Sequence, residues 1–147
     1  MSREALRETY AKTVFRYRKA PPWSRFVILT ADAPTGESWT STQTRRARRE
    51  LERLLSGRPH LAVTGCDPKS RHAEKGWAFP CADDAALAEA RALGRRLRQI
   101  ALFHVDAGQL ELVWCDDPDD RHRIGPWSGR RKMSKKQPKN PPSDAGS

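Results

Sequence analysis

Leu6, Tyr10 and Val14 recur four apart in an otherwise charged segment. That period puts them on one face of an amphipathic helix over residues 2–14, and Ser2 suits its start. Phe15-Arg16-Tyr17-Arg18 then alternates, as a short strand does, and Pro21-Pro22 ends any helix there. Phe26 to Ala31 is a continuous β-prone apolar run, the pattern of a buried central strand. Asp32-Ala33-Pro34-Thr35-Gly36 follows as a turn.

Ser41 to Ser56 reads as a helix whose apolar stripe is Ala47, Leu51, Leu54 and Leu55, with Ser41 or Thr42 as N-cap and Gly57 after its end. Leu61–Cys66 predicts a strand, Asp67 to Lys75 a polar loop, and Gly76–Pro80 a strand antiparallel to the first. Asp83 or Asp84 caps a helix running to about Arg98, with Leu87, Ala90, Leu93 and Leu97 on one side. Gly94 inside it costs about 1 kcal/mol relative to Ala, so it marks close packing on the sheet. Ile100–Val105, a tight Asp106-Ala107-Gly108-Gln109 turn and Leu110–Cys115 complete the series, with Leu110, Leu112 and Trp114 sharing a face.

The expected fold is α+β: an N-terminal helix, then β-α-β-β-α-β-β, giving a mostly antiparallel sheet with helices packed on one face. One domain is expected over residues 1–127. Residues 128–147 are rich in Pro, Gly, Ser and Lys, cannot bury enough surface to offset ordering entropy, and read as a disordered basic tail. Trp127 would pin its start.

Charge sharpens this picture. The 147 residues hold 28 Lys and Arg against 18 Asp and Glu, a formal charge of +10. The charge is clustered: residues 1–25 and 41–60 are net +5 and +4, 101–120 net −6, and 121–147 net +7. Apolar residues are 37% of the chain and no run approaches the ~20 residues of a membrane span. The segment Met1 to Phe15 is too charged for a secretory signal. Three widely spaced cysteines, Cys66, Cys81 and Cys115, form no even framework and no CxxC, so they are expected to be reduced in a cytoplasmic protein. No membrane partner and no cofactor is expected.

Two groups of residues bear on function. Arg45, Arg46, Arg48, Arg49 and Arg53 on the second helix, with Arg130, Arg131, Lys132, Lys135 and Lys136 in the tail, form clusters suited to phosphate contact. RNA or DNA is the expected partner, bound without sequence preference, although no RRM, KH or helix-turn-helix signature is present. The alternative is a small enzyme or ligand-binding domain built on polar residues near strand ends: Thr30, Asp32, His72, Glu74 and Gln99. Two carboxylates and a histidine can serve general acid–base chemistry, and Thr30 and Asp32, two apart on an extended chain, can point to one side. Cys66 with His72 is a weaker nucleophile–base pair. Cys66, His72, Cys81, His104 and Cys115 lack the short spacing of a metal site, and no phosphate-binding glycine loop occurs.

Tyr10-Ala11-Lys12-Thr13-Val14-Phe15, the strand Phe26–Ala31 with its polar turn, and Arg98-Gln99-Ile100-Ala101-Leu102-Phe103 resemble a bacterial family called domain of unknown function 3293. The resemblance covers about residues 4–115 and implies a small bacterial protein without a settled activity. Glu74 and Gln99 fit the family's pattern. Asp32-Ala33-Pro34 stands where the family usually has Asn-Pro, and Gln43 and Thr44 stand near its helix-start Asn.

Overall fold

The computed structural model describes residues 2–34 and 37–133. Its elements in chain order are α1 (Arg3–Ala11), β1 (Val14–Tyr17), β2 (Arg25–Thr30), α2 (Ser41–Leu55), β3 (Leu61–Cys66) and β4 (Ala73–Pro80). There follow α3 (Asp84–Arg96), β5 (Ala101–Asp106), β6 (Gln109–Trp114), β7 (Arg121–Pro126), a 3-10 turn at Trp127–Arg130 and β8 (Arg131–Met133). All eight strands form one sheet in the order β7-β6-β5-β2-β4-β3-β1-β8. Every neighbouring pair is antiparallel except β1 with β8.

The helix starts follow their capping chemistry. The Ser2 hydroxyl accepts from Ala5 N–H at 3.1 Å, and Asp83 accepts from Ala86 N–H at 2.8 Å. On α2 the cap is Thr40, one residue before the expected Ser41. Its hydroxyl takes the Gln43 N–H while the Gln43 amide oxygen takes the Thr40 N–H, a reciprocal box.

Strand β2 is central, and alternation sends its side chains into two cores. Val27 and Leu29 meet Leu51 and Leu55 of α2, Leu87 and Ala90 of α3, and Leu97 just after it. Phe26 and Ile28 face Leu6 of α1, Phe15, Phe103, Leu110, Leu112, Trp114 and Trp127. The expected continuous apolar run is thus a strand buried on both faces. The helices divide accordingly: α2 and α3 share one face, whereas α1 lies on the other. Gly94 is where α3 comes closest to the sheet, since a Cβ there would stand 2.5 Å from Cys115 Sγ. Burial pushes that thiol up to about 12, and all three cysteines are free.

The C-terminal boundary differs from the expectation. Residues 128–133 are not tail but continue the fold as the 3-10 turn and β8, and Arg121–Pro126 is a further strand. Trp127 explains this: it is buried against Phe15, Tyr17 and Phe26, with ring centroids 5.3, 6.4 and 5.5 Å away. With the tryptophan docked, the next residues are delivered to the edge of β1. The remainder of the expected tail, including Lys135 and Lys136, lies outside the described residues. The acidic segment after β6 pairs with α1: Arg3 reaches Asp116 at 2.5 Å and Asp120 at 3.0 Å, and Arg7 reaches Asp120 at 2.5 Å. The Arg3 guanidinium also sits 4.6 Å from the Trp114 ring centroid. Among the described residues no helix is long and apolar enough to cross a membrane.

Candidate functional site

The polar residues singled out in the sequence come from three separate stretches, and four of the five side chains meet. Thr30 ends β2 opposite Gly76 of β4, so Glu74, two residues along β4, lies on the same face as its diagonal neighbour. Gly76 permits this approach: a Cβ there would run into the Leu29 carbonyl. The Thr30 hydroxyl lies 3.1 Å from Glu74 Oε1 and 3.3 Å from Gln99 Oε1. Gln99 arrives from the turn between α3 and β5, where Arg98 takes a left-handed φ of 60°. That conformation costs a non-glycine residue of order 1 kcal/mol or more. It is held by Gln99 N–H donating to the Gly94 carbonyl at 2.8 Å and by Arg98 reaching Glu37 at 2.5 Å.

The amide of Gln99 is oriented by its own donors. Nε2 donates to the Asp32 carbonyl at 2.8 Å and to the Leu97 carbonyl at 3.0 Å, leaving Oε1 toward Thr30. His72, exposed on the rim, places Nε2 3.1 Å from Glu74 Oε2. Asp67 closes the loop beside it: its Oδ1 accepts the Lys69 and Ser70 N–H groups at 2.8 and 3.3 Å. Those backbone donors hold Asp67 below the usual carboxylate range.

Asp32 is the exception. The strand stops at Thr30, so alternation no longer governs residue 32, and only its carbonyl joins the group. Its side chain turns to α2, where Oδ1 accepts from Arg48 at 2.8 Å. Asp32 Oδ2 and Arg48 Nε are both buried without a hydrogen-bond partner. Burial raises the Asp32 carboxyl above its ordinary value, with Arg48 opposing and Glu74 adding to the rise.

Thr30, His72 and Glu74 open into a cavity of about 280 Å³ beneath α1. Its walls are Tyr10, Phe15 and Phe103, with Phe103 edge-on to both other rings at 5.8 and 4.8 Å. The sequence carried no signal for this wall. Tyr10 and Phe103 read as members of separate apolar stripes, and their meeting depends on α1 crossing the sheet. Cys66 and His72 both line the cavity, but the imidazole is engaged with Glu74. Among the described residues no three His, Cys, Asp or Glu side chains are grouped to hold a metal ion.

The basic residues are scattered. On α2, Arg48 is taken by Asp32 and Arg53 by Glu50 at 2.9 Å, while Arg45, Arg46 and Arg49 line a shallow exposed hollow with Thr42. Arg130, Arg131 and Lys132 stand at the β8 edge, with β3 and β1 between them and β4.

Fold and site together define an α+β domain with an aromatic-walled polar cavity. The sequence profile described as protein of unknown function (DUF3293) matches residues 29–102, from the end of β2 into β5, and the chain belongs to that family. The matched span contains Thr30, Asp32, His72, Glu74 and Gln99. Comparison with curated proteins gave no match, and comparison with solved structures gave none.

Proposed function

We propose that this domain binds a small hydrogen-bond-donating ligand in the cavity under α1, with Thr30, Glu74 and Gln99 as its polar anchor. One observation carries the reading. The Thr30 hydroxyl has a single proton and faces two acceptors, Glu74 Oε1 and Gln99 Oε1, while the Gln99 donors are already committed. The site therefore has an acceptor to spare, and an incoming N–H or O–H satisfies it. The lining also holds Asp67 and Glu74 and no Lys or Arg, in a chain of charge +10. An amine or amidine inside a ring-lined wall suits that balance. At about 280 Å³ the cavity lies just under the usual range for drug-sized ligands, so the ligand is small.

A ligand-observed NMR screen of small amines, amidines and carboxylic acids against the full chain tests this. Amines or amidines are expected as hits, with binding lost at least tenfold in Glu74→Gln and in Thr30→Val. Hits that are mainly acids, or that bind both variants unchanged, would sink it.

A further inference from the structure

On the opposite face, α2 and α3 cover only part of the sheet. Their core takes residues from β2, β4, β5 and β6 and none from β3, β1 or β8. The strand registers then align one row of side chains across this uncovered end. Lys75 of β4 pairs with Thr64 of β3, Thr64 with Arg16 of β1, and Arg16 with Lys132 of β8. Paired residues point to the same side, and Lys75 shares the face of Trp77 and Phe79, which is the α2 side. Strands lie about 4.8 Å apart, so the three cations span roughly 14 Å in a line.

This surface is uniformly cationic. Arg16, Arg18, Lys19 and Lys75 line a groove of about 490 Å³ that contains no carboxylate. Arg3, Arg7, Arg25, Arg48, Arg96, Arg98 and Arg121 all reach an Asp or Glu elsewhere. No ion pair links any described carboxylate to Arg16, Arg18, Lys19, Lys75 or Lys132. Beside the row, Trp77 lies two residues from Lys75 on the same face, partly exposed and edge-on to His60 at 5.1 Å.

We propose that this end of the sheet is a binding platform for single-stranded nucleic acid. A line of unpaired cations along a shallow groove in the sheet matches a polymer with regularly spaced phosphates, and the adjoining Trp77 and His60 rings offer a stacking surface for a base. The platform lies on the other side of the sheet from the cavity and stands or falls independently of it. It also differs from the arginine cluster on α2.

The test is fluorescence anisotropy of labelled 12-mers of oligo-dT and oligo-rU against the full chain, between 50 and 200 mM salt. Three triple variants separate the sources of charge: Arg16→Ala with Lys75→Ala and Lys132→Ala; Arg45→Ala with Arg46→Ala and Arg49→Ala; and Lys135→Ala with Lys136→Ala and Lys139→Ala. The row positions are exposed, so circular dichroism and Tm of the first variant should match the parent. The first variant is expected to lose at least tenfold in affinity. Its log–log salt slope should fall by about 2, at roughly 0.7 for each phosphate no longer neutralised. Comparable loss for dT and rU means that phosphates are read, and loss for rU alone that the ribose is read as well; both support the platform. Row-variant binding within twofold of the parent would overturn it. So would competition by poly-glutamate as effective, charge for charge, as the oligonucleotide.

Discussion

Asp32 spends its burial on a single arginine hydrogen bond, and its second oxygen has none. Its carboxyl binds a proton more tightly in the folded than in the unfolded chain. The stability it contributes is therefore full below the ordinary value of 3.8 and is lost as pH rises through the raised folded value. The parent-minus-variant stability difference against Asp32→Asn should decline across that interval in urea titrations. A difference that grows with pH would mean that Arg48 outweighs burial. Gly94 makes a second residue-scale case. Alanine gains about 1 kcal/mol of helix propensity but meets Cys115 Sγ at 2.5 Å. Overpacking of about 1–3 kcal/mol should win. Gly94→Ala is expected to destabilise the parent and to be tolerated in a Cys115→Ala background, as read by a double-mutant cycle.

Helix α1 is short, with nine residues and Leu6 as its one fully buried side chain. Its docking therefore leans on the acidic segment after β6. Asp120 is partly desolvated, yet hydrogen bonds from Arg3 and Arg7 bring its carboxyl below the ordinary range. Here the pH dependence runs opposite to that of Asp32: the contribution is present above the ordinary Asp range and lost as pH falls through the depressed value. The protection factor of the Arg3–Ala11 amides, taken against the intrinsic exchange rate at each pH, should fall several-fold in Asp120→Asn and at acid pH, while β2 and β5 stay protected. Unchanged protection in the helix would mean that apolar contacts alone hold it. This pairing also shows what the sequence could reveal at the level of elements. The net −6 block between basic segments was plain, but which basic segment it would meet was not. The helices and the strands β2 to β6 were legible because each carries its own period and caps. The cavity was half legible. Polar residues at strand ends are visible one at a time, whereas its aromatic wall exists only once α1 has crossed the sheet.

At the scale of the whole molecule, Trp127 fastens the C-terminal strands to the core. Trp127→Ala should cost about 3–5 kcal/mol in denaturant unfolding and should also loosen β8, with the protection of its amides falling while β2 and β5 stay protected. An unfolding midpoint within experimental error of the parent would contradict this. The strands that escaped the sequence reading, β7 and β8, are the two outermost in the sheet. They escaped because Arg121-His122-Arg123 and Arg131-Lys132 give no apolar alternation. That same composition has a consequence for how the protein behaves in company. Among the described residues the open eight-stranded sheet ends in two rows of backbone groups with no strand beside them, each a template on which another chain could grow. Both rows are lined here with like charges, so two copies approaching edge to edge repel one another. The borders are hard to recognise as strands for the reason that keeps them from recruiting one: they are cationic, and β8 is only three residues long. Concentrated solutions of this protein should stay free of edge-to-edge fibres for as long as those charges remain.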